Sequence, residues 1–224
     1  MSDYFDKIAQ RYDKWYETKV GRYVDTTEKE IIFSLVETSK GKALDLGCGT
    51  GNYTLELKKK GFDVVGLDIS KEMLRVAQKK IPEIAFIRGD AYKLPFKNNT
   101  FDLVLSITMF EFIKNPEKII KEIYRVLKPG GEIIIGTMNA KSLWFLFKRI
   151  KSLFVETAYR YARFYTVSEL EKLLKNEHFK KIETKGVIYF PSFFPFLEFA
   201  KKFDKRFCHR LKNWAAFIVV KGIK

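Results

Sequence analysis

Cysteine and histidine are scarce in this 224-residue chain, with two of each, and their positions exclude several chemistries. Cys48 and Cys208 stand far apart, without the spacing of a metal site or a disulfide framework. That pattern suits a reducing compartment and offers no good nucleophile, and no metal is expected. His178 lies in the turn Asn176-Glu177-His178 and reads as a surface residue. No apolar run reaches the ~18 to 20 residues that a membrane-spanning helix needs. The start Met1-Ser2-Asp3-Tyr4-Phe5-Asp6 has neither the basic opening nor the apolar stretch of a secretory signal, so a cytoplasmic protein is expected. Internal repeats and low-complexity linkers are also missing. At 46% hydrophobic residues the chain can bury one sizeable core with appendages, but is too short for two full-sized domains.

Acidic residues are depleted in one region only. Residues 1–140 carry 23 Lys and Arg against 20 Asp and Glu, whereas residues 141–224 carry 19 against 7. Thus +12 of the net +15 falls in the carboxy-terminal third, together with 19 of the 35 aromatic residues. A solvated basic surface over an aromatic core and a surface for an acidic or amphipathic partner fit this equally well.

What is present from Lys42 onward is an alternation of short apolar runs with helix-like stretches, the pattern of βα units around a parallel sheet. Strands are predicted at Lys42–Leu46, Asp63–Asp68, Ile84–Arg88, Phe101–Ile107 and Glu132–Thr137. Ser70 is placed to cap a helix running to Lys80, and Pro116 suits the first turn of another. Lys128-Pro129-Gly130-Gly131 reads as its end. Thr166 and Glu169 form a capping box, and Lys180–Tyr189 and Trp214–Val220 read as closing strands. The aromatic, basic stretch around 141–163 has helical spacing and no strand, and the segment from Phe196 to Leu211 spaces apolar residues by three or four between lysines. The expected organisation is one α/β domain built on a doubly wound, mostly parallel seven-stranded sheet. Lid helices occupy 1–38, the ligand-binding core 42–137, helical cap insertions 139–165 and 190–212, and the closing part 166–224.

Gly47-Cys48-Gly49-Thr50-Gly51 joins a strand to a helix, where residues without side chains let backbone amides approach a ligand. Alone it fits a tight structural turn as well. A dinucleotide fingerprint reads G-x-G-x-x-G, whereas here the third glycine comes one residue early and Asp45 precedes the loop. Asp68 closes the next strand, where a carboxylate can accept hydrogen bonds from ribose hydroxyls. Asp90 ends the third and can accept from an exocyclic amine. Carboxyl ends of parallel strands share one rim, so the three acids are expected to face one crevice.

Ala43-Leu44-Asp45-Leu46-Gly47-Cys48-Gly49-Thr50-Gly51, Val65-Gly66-Leu67-Asp68-Ile69-Ser70, Gly89-Asp90-Ala91, Leu94-Pro95-Phe96, Phe101-Asp102 and Lys128-Pro129-Gly130-Gly131 follow one another in order. In this order the chain resembles the class I S-adenosylmethionine-dependent methyltransferases, in particular the group containing the ubiquinone and menaquinone methylases. Phe5-Asp6-Lys7-Ile8-Ala9 with Tyr12-Asp13 is similar to that group's amino-terminal helix over the cofactor. The resemblance implies that Asp45 and the amides of Gly47, Cys48, Gly49 and Gly51 hold the methionine part of S-adenosylmethionine, with Tyr12 reaching its carboxylate. It gives Asp68 the ribose, Ile69 and Met73 one face of the adenine, Asp90 and Ala91 its edge, and the Ser106 backbone a place near the sulfonium.

Methyl transfer from a sulfonium is a direct displacement, so positioning dominates and a base is needed only for a protonated acceptor. Glu111, Tyr165 and His209 are the candidate bases, each also explicable structurally. The resembling group points to a small-molecule or lipid-like acceptor. The basic aromatic third also admits an RNA substrate, or contact with an anionic membrane surface through the Phe196–Leu211 segment. No appended RNA-binding module or Asn/Asp-Pro-Pro-Tyr-type motif accompanies it; Ser106-Ile107-Thr108-Met109-Phe110 stands there instead. From other classes, an NAD-linked oxidoreductase and a non-catalytic S-adenosylmethionine-binding module remain as alternatives.

Overall fold

The computed structural model describes residues 2–142, 162–190 and 197–224. Strands β1 (Lys42–Leu46), β2 (Asp63–Asp68), β3 (Ala85–Arg88), β4 (Phe101–Ile107) and β5 (Leu127–Met138) pair in parallel. Strand β7 (Phe217–Ile223) returns antiparallel between β5 and the edge strand β6 (Lys180–Val187). The resulting sheet has seven strands in the order β3-β2-β1-β4-β5-β7-β6, and the direction of winding reverses between β1 and β4.

Helices are α1 (Ser2–Tyr12), α2 (Lys19–Phe33), α3 (Asn52–Lys59), α4 (Lys71–Lys80), α5 (Pro116–Val126), α6 (Val167–Asn176) and α7 (Leu197–Phe207). Period-two alternation in the strands sorts side chains between two clusters. Leu44, Leu46, Val104, Ile133 and Ile135 pack with Ile119, Ile120 and Ile123 of α5 and Leu170 and Leu174 of α6. Ala43, Leu103, Leu105 and Ile134 pack on the other side with Ile31 and Ile32 of α2 and Leu57 of α3. Burial on both faces is why these strands read as nearly unbroken apolar runs. Among the described residues no helix is long and apolar enough to cross a membrane.

Several boundaries differ from the sequence-based expectation. Lys128-Pro129-Gly130-Gly131 does not end a helix ahead of the strand; it lies inside β5. Phe101 pairs with Leu127 and Leu103 with Glu132, so the four residues form an excursion in a continuous strand. Within the expected lid region the second helix starts at Lys19, because the Thr18 side chain accepts from the Gly21 amide at 2.9 Å and caps it there. Near the other end, Lys212–Trp214 makes a single 3-10 turn and β7 begins only at Phe217. The first expected cap insertion falls largely on 143–161, outside the described residues, as do 191–196 of the second. Helix α7 occupies much of the remainder.

The link from α2 to β1 is held by one buried side chain. Glu132, 3% exposed, accepts from the Thr38 amide at 2.8 Å, the Thr38 hydroxyl at 2.7 Å and the Glu37 amide at 3.1 Å. Glu132→Ala leaves these donors without their acceptor and should cost about 2 to 3 kcal/mol. Denaturant midpoints measure this, and an unchanged midpoint would contradict the assignment.

Candidate functional site

The carboxyl ends of β1 to β4 frame a cavity of about 310 Å³ at the point where the strand order reverses. Of the sequence-predicted ligand residues, Tyr12, Gly47, Gly49, Asp68, Ile69, Met73, Asp90 and Ala91 line it. Phe5 and Tyr12 of α1 close one side.

The glycine loop is organised by the end of β2. The Leu67 carbonyl accepts from the amides of Gly47 at 2.7 Å and Cys48 at 3.1 Å, and Gly51 donates to the Cys48 carbonyl at 2.9 Å. Asp68 takes the Gly49 amide on one oxygen and the Ser70 amide on the other, both at 2.8 Å. The four loop amides expected to hold the ligand, those of Gly47, Cys48, Gly49 and Gly51, thus each donate to an acceptor within the protein. What the loop contributes is room. Gly49 sits at φ +53, and a Cβ there would meet nothing within 4 Å, so the backbone is bare toward the cavity. Gly47, at φ +75, instead packs under Met109, where a Cβ would come within 2.7 Å of the side chain.

Burial pushes the Asp68 carboxyl up from its usual value, against the opposing effect of the Ser70 and Gly49 amides. A carboxylate has about four acceptor positions, so these bonds leave it able to accept from a further donor. Asp90 is exposed and accepts from the Tyr92 amide at 2.9 Å. Tyr92 lines the cavity, and its hydroxyl accepts from the amides of Lys114 and Asn115 at 3.2 and 3.1 Å. This ties the loop after β3 to the segment before α5.

Helix α1 is fastened over this rim by two acids. Asp6 accepts from the Ser70 hydroxyl at 2.6 Å and the Glu72 amide at 3.1 Å, at the amino end of α4. The Ser70 hydroxyl holds the Asp6 carboxyl below its ordinary value. Asp13 accepts from the Thr50 hydroxyl at 2.7 Å and Asn52 Nδ2 at 3.2 Å, beside the start of α3, and pairs with Lys80 at 2.6 Å. Carboxylates at helix amino ends also meet the positive pole of the helix dipole.

Four expected ligand residues do not line the cavity. Asp45 is 2% exposed and accepts from the Thr54 hydroxyl at 2.6 Å, so only Asp68 and Asp90 of the three acids face the crevice. Cys48 is buried, and a Cβ on Gly66 would lie 3.0 Å from its sulfur. Gly51 serves as the left-handed cap of α3, at φ +80. Ser106 is fully buried and donates its hydroxyl to the Leu46 carbonyl at 3.0 Å.

The three candidate bases are absent from the cavity wall as well. Glu111, 2% exposed, accepts from the Met138 amide at 3.0 Å. Tyr165 is fully buried and donates to the Phe110 carbonyl at 3.3 Å, and burial raises its hydroxyl to about 12. His209 is exposed beyond α7. In their place the wall carries Phe5 of the expected covering helix together with Tyr92, Thr108, Met109, Phe112 and Ile113, and to these last five sequence reasoning gave no role at the site. The available signal was position: residues just after β4 share the rim of Asp68. Thr108 carries a further mark, a left-handed φ of 52 on a β-branched residue, held by the hydrogen bond its amide donates to the Gly136 carbonyl at 2.8 Å.

Burial, and secondarily the charge of Asp68, raise Asp45 from 3.8 to about 7. The folded state thus binds a proton that the unfolded chain has released, and stability from this group is lost as pH rises from about 4 through 7. Asp45→Asn keeps an acceptor for Thr54, so its melting temperature should gain on the wild type as pH rises from 5 to 8. A difference independent of pH would contradict this.

The methyltransferase domain family matches residues 44–135. An uncharacterized protein of Methanocaldococcus jannaschii is 37% identical over 195 residues, covering 83% of this chain and 85% of its own length. A demethylmenaquinone methyltransferase of Thermotoga maritima is 28% identical over 197 residues, covering 79% and 86%. The crystal structure of a SAM-dependent methyltransferase from Thermotoga maritima, a possible histamine N-methyltransferase, superposes with a TM-score of 0.80 at 25% identity over the full length of both chains. The Rossmann-like sheet, the cavity at its switch point and these similarities together make the cofactor S-adenosylmethionine rather than a nicotinamide dinucleotide. The chain belongs to the class I S-adenosylmethionine-dependent methyltransferases.

Proposed function

We propose that the enzyme methylates a small-molecule or lipid-like acceptor whose body is largely apolar. The observation that carries this reading is the wall formed by Phe5, Met109, Phe112 and Ile113 beside Tyr92, which bears no charged side chain. Phe5 and Phe112 meet edge to face at 5.1 Å, so the lid helix and the segment after β4 enclose this side together. Excluding water there favours an uncharged acceptor over a polyanion, and holding acceptor and cofactor in near-attack geometry is the main catalytic contribution. The similarity to a demethylmenaquinone methyltransferase and to a possible histamine N-methyltransferase supports a small-molecule or lipid-like acceptor.

The same reading assigns the cofactor's other parts. Asp68 accepts from the ribose hydroxyls with its remaining lone pairs, and Asp90 accepts from the adenine amine. Ile69, 51% exposed, and the buried Met73 offer an apolar face to the base, and Tyr12 stands over the methionine end. The bare backbone of Gly49 lets the cofactor approach the loop. When bound, the cofactor supplies the electrophilic methyl group; the protein residues bind and orient.

Two outcomes follow. Gly49→Ala forces a side chain into the left-handed region, costing about 1 to 2 kcal/mol of stability, and adds a methyl group toward the cavity. Calorimetric titration should show S-adenosylmethionine affinity reduced by about tenfold or more, corresponding to roughly 1.4 kcal/mol; an unaltered affinity would remove the loop from the site. Labelled methyl groups from S-adenosylmethionine, offered in parallel to metabolites, lipid extract and RNA, should appear in the metabolite or lipid fraction. Label in RNA alone would overturn the acceptor assignment.

A further inference from the structure

Helix α7 separates apolar and basic residues cleanly. Its inner face includes Ala200, 0% exposed, and Asp204, 1% exposed. Asp204 accepts from the Tyr23 hydroxyl at 2.6 Å and the Ile188 amide at 2.9 Å, which fastens α7 to α2 and to the end of β6. The opposite face exposes Lys201, Lys202, Lys205 and Arg206. One acid lies among them, Glu198, paired with Lys201 at 3.2 Å. Two large hydrophobic side chains flank this face in sequence, Phe199 at 55% exposure and, just past the helix, Trp214 at 68%. The turn carrying Trp214 adjoins the carboxyl end of α7, since both lie against Gly186: its amide donates to the Cys208 carbonyl at 2.8 Å, and a Cβ there would sit 2.9 Å from the Lys212 Cα.

Strand register gives the helix its location relative to the cavity. Val187 pairs with Phe217, Phe217 with Met138, and Gly136 with Ile107, which lines the cavity. The end of β6, and α7 with it, therefore sits on the same rim as the cavity.

We propose that α7 and the Trp214 turn dock the enzyme on an anionic lipid surface. Basic side chains close to such a surface are attracted by its negative potential, and exposed aromatic side chains partition into the headgroup boundary. An exposed basic helix face with aromatic residues beside it suits a lipid interface, whereas single-stranded RNA needs a groove with aromatic rings free to stack on bases. The Phe199 ring already packs on Phe190 and Phe203, at 5.8 and 6.2 Å between centroids. The charge distribution agrees: the half of the chain that forms most of the cavity is nearly neutral, and the excess lies in residues 141–224. This binding requires no methyl transfer, so its failure would leave the cofactor and acceptor assignments standing.

The test is co-sedimentation of the full chain with phosphatidylcholine vesicles, with and without 30 mol% phosphatidylglycerol (about one anionic lipid in three), at low and high salt. Binding should require the anionic lipid and weaken with salt. Lys202→Glu with Arg206→Glu should reduce it by about tenfold or more, and Phe199→Ser with Trp214→Ser should reduce it separately while S-adenosylmethionine affinity is retained. Equal binding to neutral vesicles, undiminished binding by both double variants, or tighter binding to single-stranded RNA than to the anionic vesicles would overturn the proposal.

Discussion

The end of β2 is the point on which the site depends. Leu67 supplies a carbonyl and Asp68 a carboxylate, and between them they take the amides of Gly47, Cys48, Gly49 and Ser70. A glycine-rich loop has many conformations open to it, and this set of bonds selects one. Because the same carboxylate also fixes the turn that starts α4, the spacing between the glycine loop and the cavity-lining Ile69 and Met73 is set by a single side chain. Its burial is unfavourable to the charged form, and the amides of Ser70, Gly49 and Ile69 partly offset that.

The lid depends on this arrangement in turn. Asp6 docks on Ser70, whose own amide Asp68 holds, and Asp13 docks on Thr50 and Asn52, just beyond the glycine loop. Helix α1 can therefore sit correctly only where the loop and the turn are already formed. There it brings Phe5 against Phe112 and completes the apolar wall of the cavity. The glycine loop, the α4 turn and the apolar cavity wall are thus parts of one assembly, while the basic excess of the chain lies elsewhere.

Much of this was legible in the sequence, for physical reasons that also explain the misses. Strands β1, β2 and β4 have the bounds read from their apolar runs, since burial on both faces leaves few polar residues to blur the ends. The Ser70 cap and the Thr166–Glu169 capping box are local and were visible as such. Lys128-Pro129-Gly130-Gly131 was misread because its turn propensity is real, while its place inside β5 comes from pairing with a distant strand. Asp45 was assigned to the crevice although it shares side-chain parity with Ala43, which faces the layer of α2 and α3; period-two counting would have turned it toward Thr54. The cavity residues after β4 could not be ranked from the sequence, because a loop following a rim strand carries no periodicity.

The central claim is that Asp68 both shapes the glycine loop and receives the cofactor. It is tested most directly by thermal unfolding of the wild type and Asp68→Ala, each alone and with saturating S-adenosylmethionine or NAD. A ligand that binds only the native state raises the midpoint. The account predicts a rise for the wild type with S-adenosylmethionine and none with NAD. For Asp68→Ala it predicts no rise with either, and a lower apo midpoint because the Gly49 and Ser70 amides lose their acceptor. A variant that is stabilised by S-adenosylmethionine as much as the wild type would contradict it.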